Sequence, residues 1–173
     1  MDLRYPIGTY RPAAYAPALQ EEWIADLRFL PGLLERSLEN LDTVQLQTPY
    51  REGGWTVQQV VHHLADSHMN AFCRAKLILT EEEPTVRPYN ENKWALTADN
   101  TNVPINISVT LLYALHARWV ALLEVLQETD WQKTYYHPQS KIKADLWYLT
   151  GMYAWHGKHH VAHITSLRER KGW

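Results

Sequence analysis

Apolar residues recur at helical intervals in four separate stretches of the chain. Trp23, Leu27, Leu30, Leu34, Leu38 and Leu41 fall on one face, which predicts a first helix from about Ala18 to Asn40. Pro31–Gly32 lies inside it and should kink or briefly split it. Val57, Val60, Val61, Leu64, Ala71, Phe72, Ala75 and Ile78 mark a second helix reaching about Thr80. Its start is written clearly: Thr56 and Gln59 have capping-box spacing, and Trp55 and Val60 flank the cap as a hydrophobic staple. A third stripe joins Leu111, Leu112, Leu115, Trp119, Leu122 and Leu126. The fourth helix is expected from about Ala144 to Arg168, with Leu149, Met152, Tyr153, Ile164 and Leu167 facing inward. Arg168 and Arg170 stand near its C-terminus, where the helix dipole favours cations.

The segments between these stripes break the pattern. Pro6, Gly8, Pro12 and Pro17 suggest an extended N-terminal arm, and the run from Thr48 to Gly54 is turn chemistry. From Glu81 to about Ile107 the chain carries Pro84, Pro88, Pro104 and several Asn; a connection this long in a compact domain is usually functional. A loop through Tyr136–His137–Pro138–Gln139–Ser140 leads into the last helix, and no strand alternation stands out. The expectation is an all-α, single-domain protein over residues 1–173: a four-helix bundle with a long crossover connection between helices 2 and 3.

Charge narrows the partners. With 17 basic and 19 acidic residues and no basic face, the chain lacks the electrostatic footprint of a nucleic-acid binder. Eight Trp and ten Tyr against two Phe suit helical cores and pockets. Cys73 is the only cysteine, so no intrachain disulfide forms. Neither a signal pattern nor an apolar run long enough for a bilayer is evident, which predicts a soluble, cytoplasmic protein without a membrane partner.

Histidines carry the chemistry. Four of the nine lie between His156 and His163. His156 and His160 are four apart and share the inner face of the fourth helix, a spacing that suits a metal ion. His163, one turn on, is either a further ligand or a group that orients one. His159 faces the flank and is expected to be exposed or locally bonded. On the second helix, His63 sits in a polar stripe with Ser67, Asn70 and Arg74, while His68 lies at the centre of the apolar stripe. Periodicity leaves these two level as a third ligand. His62 faces away from the stripe and should be solvated; His116 should be a packed or bonded core residue; His137 should be peripheral. No Glu stands between His156 and His160, so the zinc-protease motif is excluded, and no Gly-x-Ser-x-Gly elbow, P-loop or dinucleotide fingerprint is present.

The runs Tyr50–Val57, Val60–His68, Ala114–Trp119 and Tyr153–His160, with the early Tyr5–Tyr10, resemble the YfiT branch of the DinB superfamily over almost the whole chain. The resemblance implies a four-helix bundle, a homodimer, and one divalent metal ion per chain, zinc or nickel, held by His63, His156 and His160. It thereby chooses His63 over His68 and puts His163 in a supporting place. Members are described, by inference, as metal-dependent hydrolases, and relatives as S-transferases using the thiol bacillithiol. Three imidazoles leave an open metal position. Water there would be activated for hydrolysis of a small-molecule substrate; a low-molecular-weight thiol would be held as a thiolate aimed at an electrophile. The missing Glu leans slightly toward the thiol. Asp66 or Asp99 is a candidate base, and Arg74, Arg87 and Tyr89 are candidates for contacting an anionic substrate. The alternative is a non-catalytic bundle that binds or senses a metal.

Overall fold

A computed structural model describes residues 2–173. Four long helices dominate: α1 (Pro17–Leu38), α3 (Val57–Thr80), α6 (Ile105–Leu123) and α8 (Leu146–Lys171). Single-turn helices interrupt the connections: α2 (Thr43–Leu46), α4 (Glu91–Trp94), α5 (Ala98–Asn102) and α7 (Glu128–Trp131).

Pairs of facing residues give the topology. Trp23, Leu30 and Ser37 of α1 meet Gly151, Gly157 and Arg168 of α8, so these helices run parallel. His62, His68 and Phe72 of α3 meet Ser108, His116 and Trp119 of α6, a second parallel pair. Across the bundle the sense reverses: His63, His68 and Arg74 of α3 meet His160, His156 and Tyr153 of α8. Helices α1 and α3 are diagonal, as are α6 and α8. A parallel α3–α6 pair requires the intervening chain to travel the bundle length before α6 begins, which is the long crossover the sequence predicts.

Helix α3 starts as expected. The Gln59 backbone N–H donates to the Thr56 hydroxyl at 3.2 Å, and the Thr56 N–H donates to Gln59 Oε1 at 3.0 Å. Gln59 also donates through Nε2 to the Ala95 carbonyl, tying the crossover to the same turn. Helix α8 is capped by Asp145, which accepts from Tyr148 N–H, and ends at Gly172 in the left-handed conformation.

Several expectations are corrected. Helix α1 continues through Pro31 rather than splitting. Residues Thr134–His137 (β1) and Ile142–Asp145 (β2) form an antiparallel hairpin where no strand was read, with Tyr135 opposite Ala144 and Tyr136 opposite Lys143. Four-residue strands are too short for a period-2 signal to stand out. The crossover docks on this hairpin, Val86 N–H donating to the Tyr136 carbonyl and Tyr136 N–H to the Pro84 carbonyl. Helix α6, with a mean hydropathy of 1.3 over its apolar window, is long and apolar enough to cross a bilayer by length and composition, contrary to the sequence reading. Its Leu112, His116, Trp119 and Leu123 are buried within the bundle against α1 and α3.

Candidate metal centre

Helix α8 delivers His156 and His160 one turn apart, and the antiparallel α3 brings His63 to them. The Nε2 atom of His156 lies 3.3 Å from His63 Nε2 and 3.1 Å from His160 Nε2. The three imidazoles offer ligand atoms that all lie within 4.8 Å of one another. Two nitrogens bound tetrahedrally at about 2.0–2.1 Å from zinc would stand about 3.3 Å apart, so the observed spacing suits such an ion. An all-imidazole donor set also suits zinc or nickel better than magnesium or calcium, which prefer oxygen.

The rings are prepared to stay neutral. Burial pushes the pKa of His63 down to about 4, with His159 adding a smaller push. Burial, then the neighbouring histidines, holds His156 and His160 well below the ordinary histidine value. Neutral imidazole is the form that binds metal.

One nitrogen's role follows from its surroundings. The Arg4 carbonyl can only accept, so His163 Nε2, at 3.2 Å, must donate to it. His163 Nδ1 is then a lone pair that accepts from His160 Nδ1–H at 3.3 Å, and His160 Nε2 is left unprotonated, facing the cluster. Stacking of Tyr50 on His163, with centroids 4.0 Å apart, fixes the supporting ring. His163 thus holds a place behind His160.

The cluster opens into a pocket of about 380 Å³. Its walls combine the bundle (Ser67, Arg74, Tyr153) with the crossover (Tyr89, Glu91) and the hairpin loop (His137, Gln139). Trp55 packs over His63 with centroids 4.5 Å apart. Arg74 is buried, donates from Nη2 to the Arg87 carbonyl at 2.9 Å, and lies beside Tyr153. Among the described residues no carboxylate pairs with it. Arg87 takes part through its backbone, its side chain being exposed. Tyr89 is half-buried, and burial raises its pKa. The two candidate bases lie elsewhere: Asp99 is exposed beside Thr97, while Asp66 is half-buried beside Asn100 with its pKa raised by burial. Neither lines the pocket.

Three histidines depart from expectation. His62 is buried rather than solvated, sharing Nδ1 with the Ser108 hydroxyl and Nε2 with the Val103 carbonyl. The entry to α6 folds over that face, which helical angles alone do not reveal. His159 is buried against Trp155 and His163, with Nδ1 unpartnered. His137 lines the pocket instead of lying at the periphery. His68, the rival to His63, also touches His156, but at Nδ1, from the core side. Glu91 and Gln139 were missed; the length of the crossover was the available signal for Glu91.

A model of the DinB superfamily matches residues 15–164. A protein of Geobacillus kaustophilus named as a putative metal-dependent hydrolase is 52% identical over 172 residues, covering 99% of this chain and 97% of that one. A similarly named protein of Bacillus mycoides is 51% identical over 179 residues, covering 99% of each. The structure of YfiT from Bacillus subtilis, described as a probable metal-dependent hydrolase with an unusual four-helix bundle topology, superposes with a TM-score of 0.97. It is 46% identical, over 100% of this chain and 99% of that one.

Proposed function

The chain belongs to the DinB superfamily, and on that footing we propose that it hydrolyses a small-molecule substrate with one divalent ion, zinc or nickel, held by His63, His156 and His160. The observation that carries this is the convergence of three neutral ring nitrogens, at a spacing suited to a tetrahedral ion, on the floor of an open pocket. An ion bound there supplies Lewis acidity, polarising a substrate oxygen and lowering the pKa of water toward neutrality.

The chain's own groups fill the other roles. Glu91 is the carboxylate on the pocket wall and takes the proton from the attacking water. Asp66 and Asp99, weighed as bases from sequence, stand outside the lining. Arg74 meets an anionic group of the substrate, since its buried charge has no carboxylate partner among the described residues. Tyr89, on the same wall, contacts that group. The aromatic side of Trp55 limits water around His63.

The same Arg74 supports a second reading, a thiol S-transferase. A low-molecular-weight thiol bearing a carboxylate would satisfy Arg74 and bring its sulfur to the histidines. Zinc-loaded protein offered a panel of esters and amides should turn them over without added thiol. Turnover only of monochlorobimane, and only with bacillithiol, would replace hydrolysis with transfer. Failure of both would leave a metal-binding or metal-sensing bundle. Metal content measured after native purification should approach one ion per chain and fall in His63→Ala; metal-free protein from a replete medium would overturn the metal reading itself.

A homodimer and a cytoplasmic location belong to the same reading; the exposed Phe29 and Leu33 on the outer face of α1 support the dimer. A monomer mass by light scattering would refute the dimer.

A further inference from the structure

A chain of buried histidines behind His156 takes no part in the proposed chemistry. Pro31 has no N–H, so the carbonyl of Leu27, four residues earlier in α1, lacks its helical donor. His116 of α6 fills that vacancy: its Nδ1 lies 2.5 Å from the Leu27 oxygen. His116 Nε2 lies 3.0 Å from His68 Nδ1, and His68 Nε2 lies 3.3 Å from His156 Nδ1. Both intermediate rings are buried against Trp119, and His68 also meets Tyr153 edge-on.

We infer that His68 and His116 are positioning residues: through them the Leu27 carbonyl fixes which nitrogen of His156 presents its lone pair to the metal. The deduction needs only one proton per neutral ring. A carbonyl oxygen accepts, so His116 Nδ1 carries the hydrogen and its Nε2 is bare. Bare Nε2 accepts, so His68 Nδ1 carries the hydrogen and His68 Nε2 is bare. That nitrogen accepts in turn from His156 Nδ1–H, leaving His156 Nε2 unprotonated. The opposite set of tautomers would put two lone pairs 2.5 Å apart at Leu27. His68 and His116 are both buried in the core, where a charged ring without a counter-ion would be costly.

With the His163 link behind His160, two bare nitrogens then face each other at 3.1 Å. No hydrogen bond can join two lone pairs, whereas a cation satisfies both. The relay therefore holds the ligands in a state that a metal ion relieves, and it aims the His156 ring. In this sense it deepens, and rests on, the metal reading above.

Two measurements test it separately. Long-range proton–nitrogen correlation spectra of histidine-labelled protein, before and after zinc is removed with a chelator and restored, report each ring's tautomer. His68, His116 and His156 should all carry the proton on Nδ1, and the His156 Nε2 resonance should move with zinc. A proton on Nε2 of His68 or His116 would overturn the relay and leave the metal site standing. An unmoved His156 Nε2 resonance would overturn the metal reading. Second, His68→Phe keeps a ring between Trp119 and Tyr153 but loses both bonds. It should bind zinc about 10–100-fold more weakly in chelator competition. Wild-type affinity in that variant would overturn the positioning role; should the variant not fold, the spectra of the native chain decide.

Discussion

A Cβ on Gly157 would stand 2.5 Å from Leu30 Cδ2 and 2.8 Å from Cδ1. The absent side chain is what lets α8 approach α1 immediately beside His156. Leu30 is fully packed and cannot swing into solvent, so Gly157→Ala should force the two helices apart. We expect a loss of about 1–3 kcal/mol, read as a lowered urea midpoint at unchanged m-value. Full wild-type stability would mean that the helices absorb the methyl without strain.

Gln59 joins the helix cap to the crossover through one amide: Oε1 accepts from the Thr56 N–H and Nε2 donates to the Ala95 carbonyl. Gln59→Leu should cost about 1–3 kcal/mol, more than Thr56→Ala at about 1 kcal/mol. Hydrogen exchange in α4 should rise with the first and stay flat with the second. Equal effects would show that the crossover does not depend on this residue.

Acid should destabilise the metal-free protein in a defined window. Burial holds the pKa of His63, His116, His159 and His163 down to about 4, below the ordinary 6.5. Between these values the unfolded chain binds more protons than the folded one, so stability is full above 6.5 and falls as the pH drops toward 4. For His63 and His116 the slope is at most about 1.4 kcal/mol per pH unit each. Urea midpoints recorded down this range should fall steadily; a flat profile would contradict the burial of neutral rings.

His163→Phe preserves the stack on Tyr50 but frees His160 Nδ1 from its acceptor. Metal should still bind, weakened about 10–100-fold, in contrast to the outright loss expected for His160→Ala. Competition with a zinc chelator separates the two outcomes. Complete loss in His163→Phe would move that residue from support to ligand.

Arg74→Met should raise KM for an anionic substrate about tenfold or more while zinc binding is retained, because a buried cation aimed at an anion contributes roughly 1.5–3 kcal/mol. Unchanged KM across charged and neutral substrates would remove Arg74 from the substrate's path.

The stripes of α1, α3, α6 and α8 were readable because each spans many turns, long enough for a 3.6-residue period to declare itself. One-turn helices and four-residue strands contain no full period, so α4, α5 and the hairpin were not. The tie between His63 and His68 has a physical origin: both rings do touch His156, one at the pocket-facing Nε2 and the other at the core-facing Nδ1. Helical angle says that a side chain points toward the neighbouring helix; it does not say which edge of the neighbour's ring it meets. His62 failed for a different reason. Its outward face is covered by Val103 and Ser108, which arrive through the crossover from more than forty residues away.

The bond between His163 Nε2 and the Arg4 carbonyl joins the start of the chain to its last helix. Because that carbonyl selects the tautomer at His160, seating the N-terminal arm and binding the ion share one free energy. Thermodynamic reciprocity then applies: whatever factor the seated arm adds to the ion's affinity, the ion adds to the arm's attachment. Loading the site should therefore shield Arg4 and its neighbours from proteolysis, and clipping them away should loosen the ion.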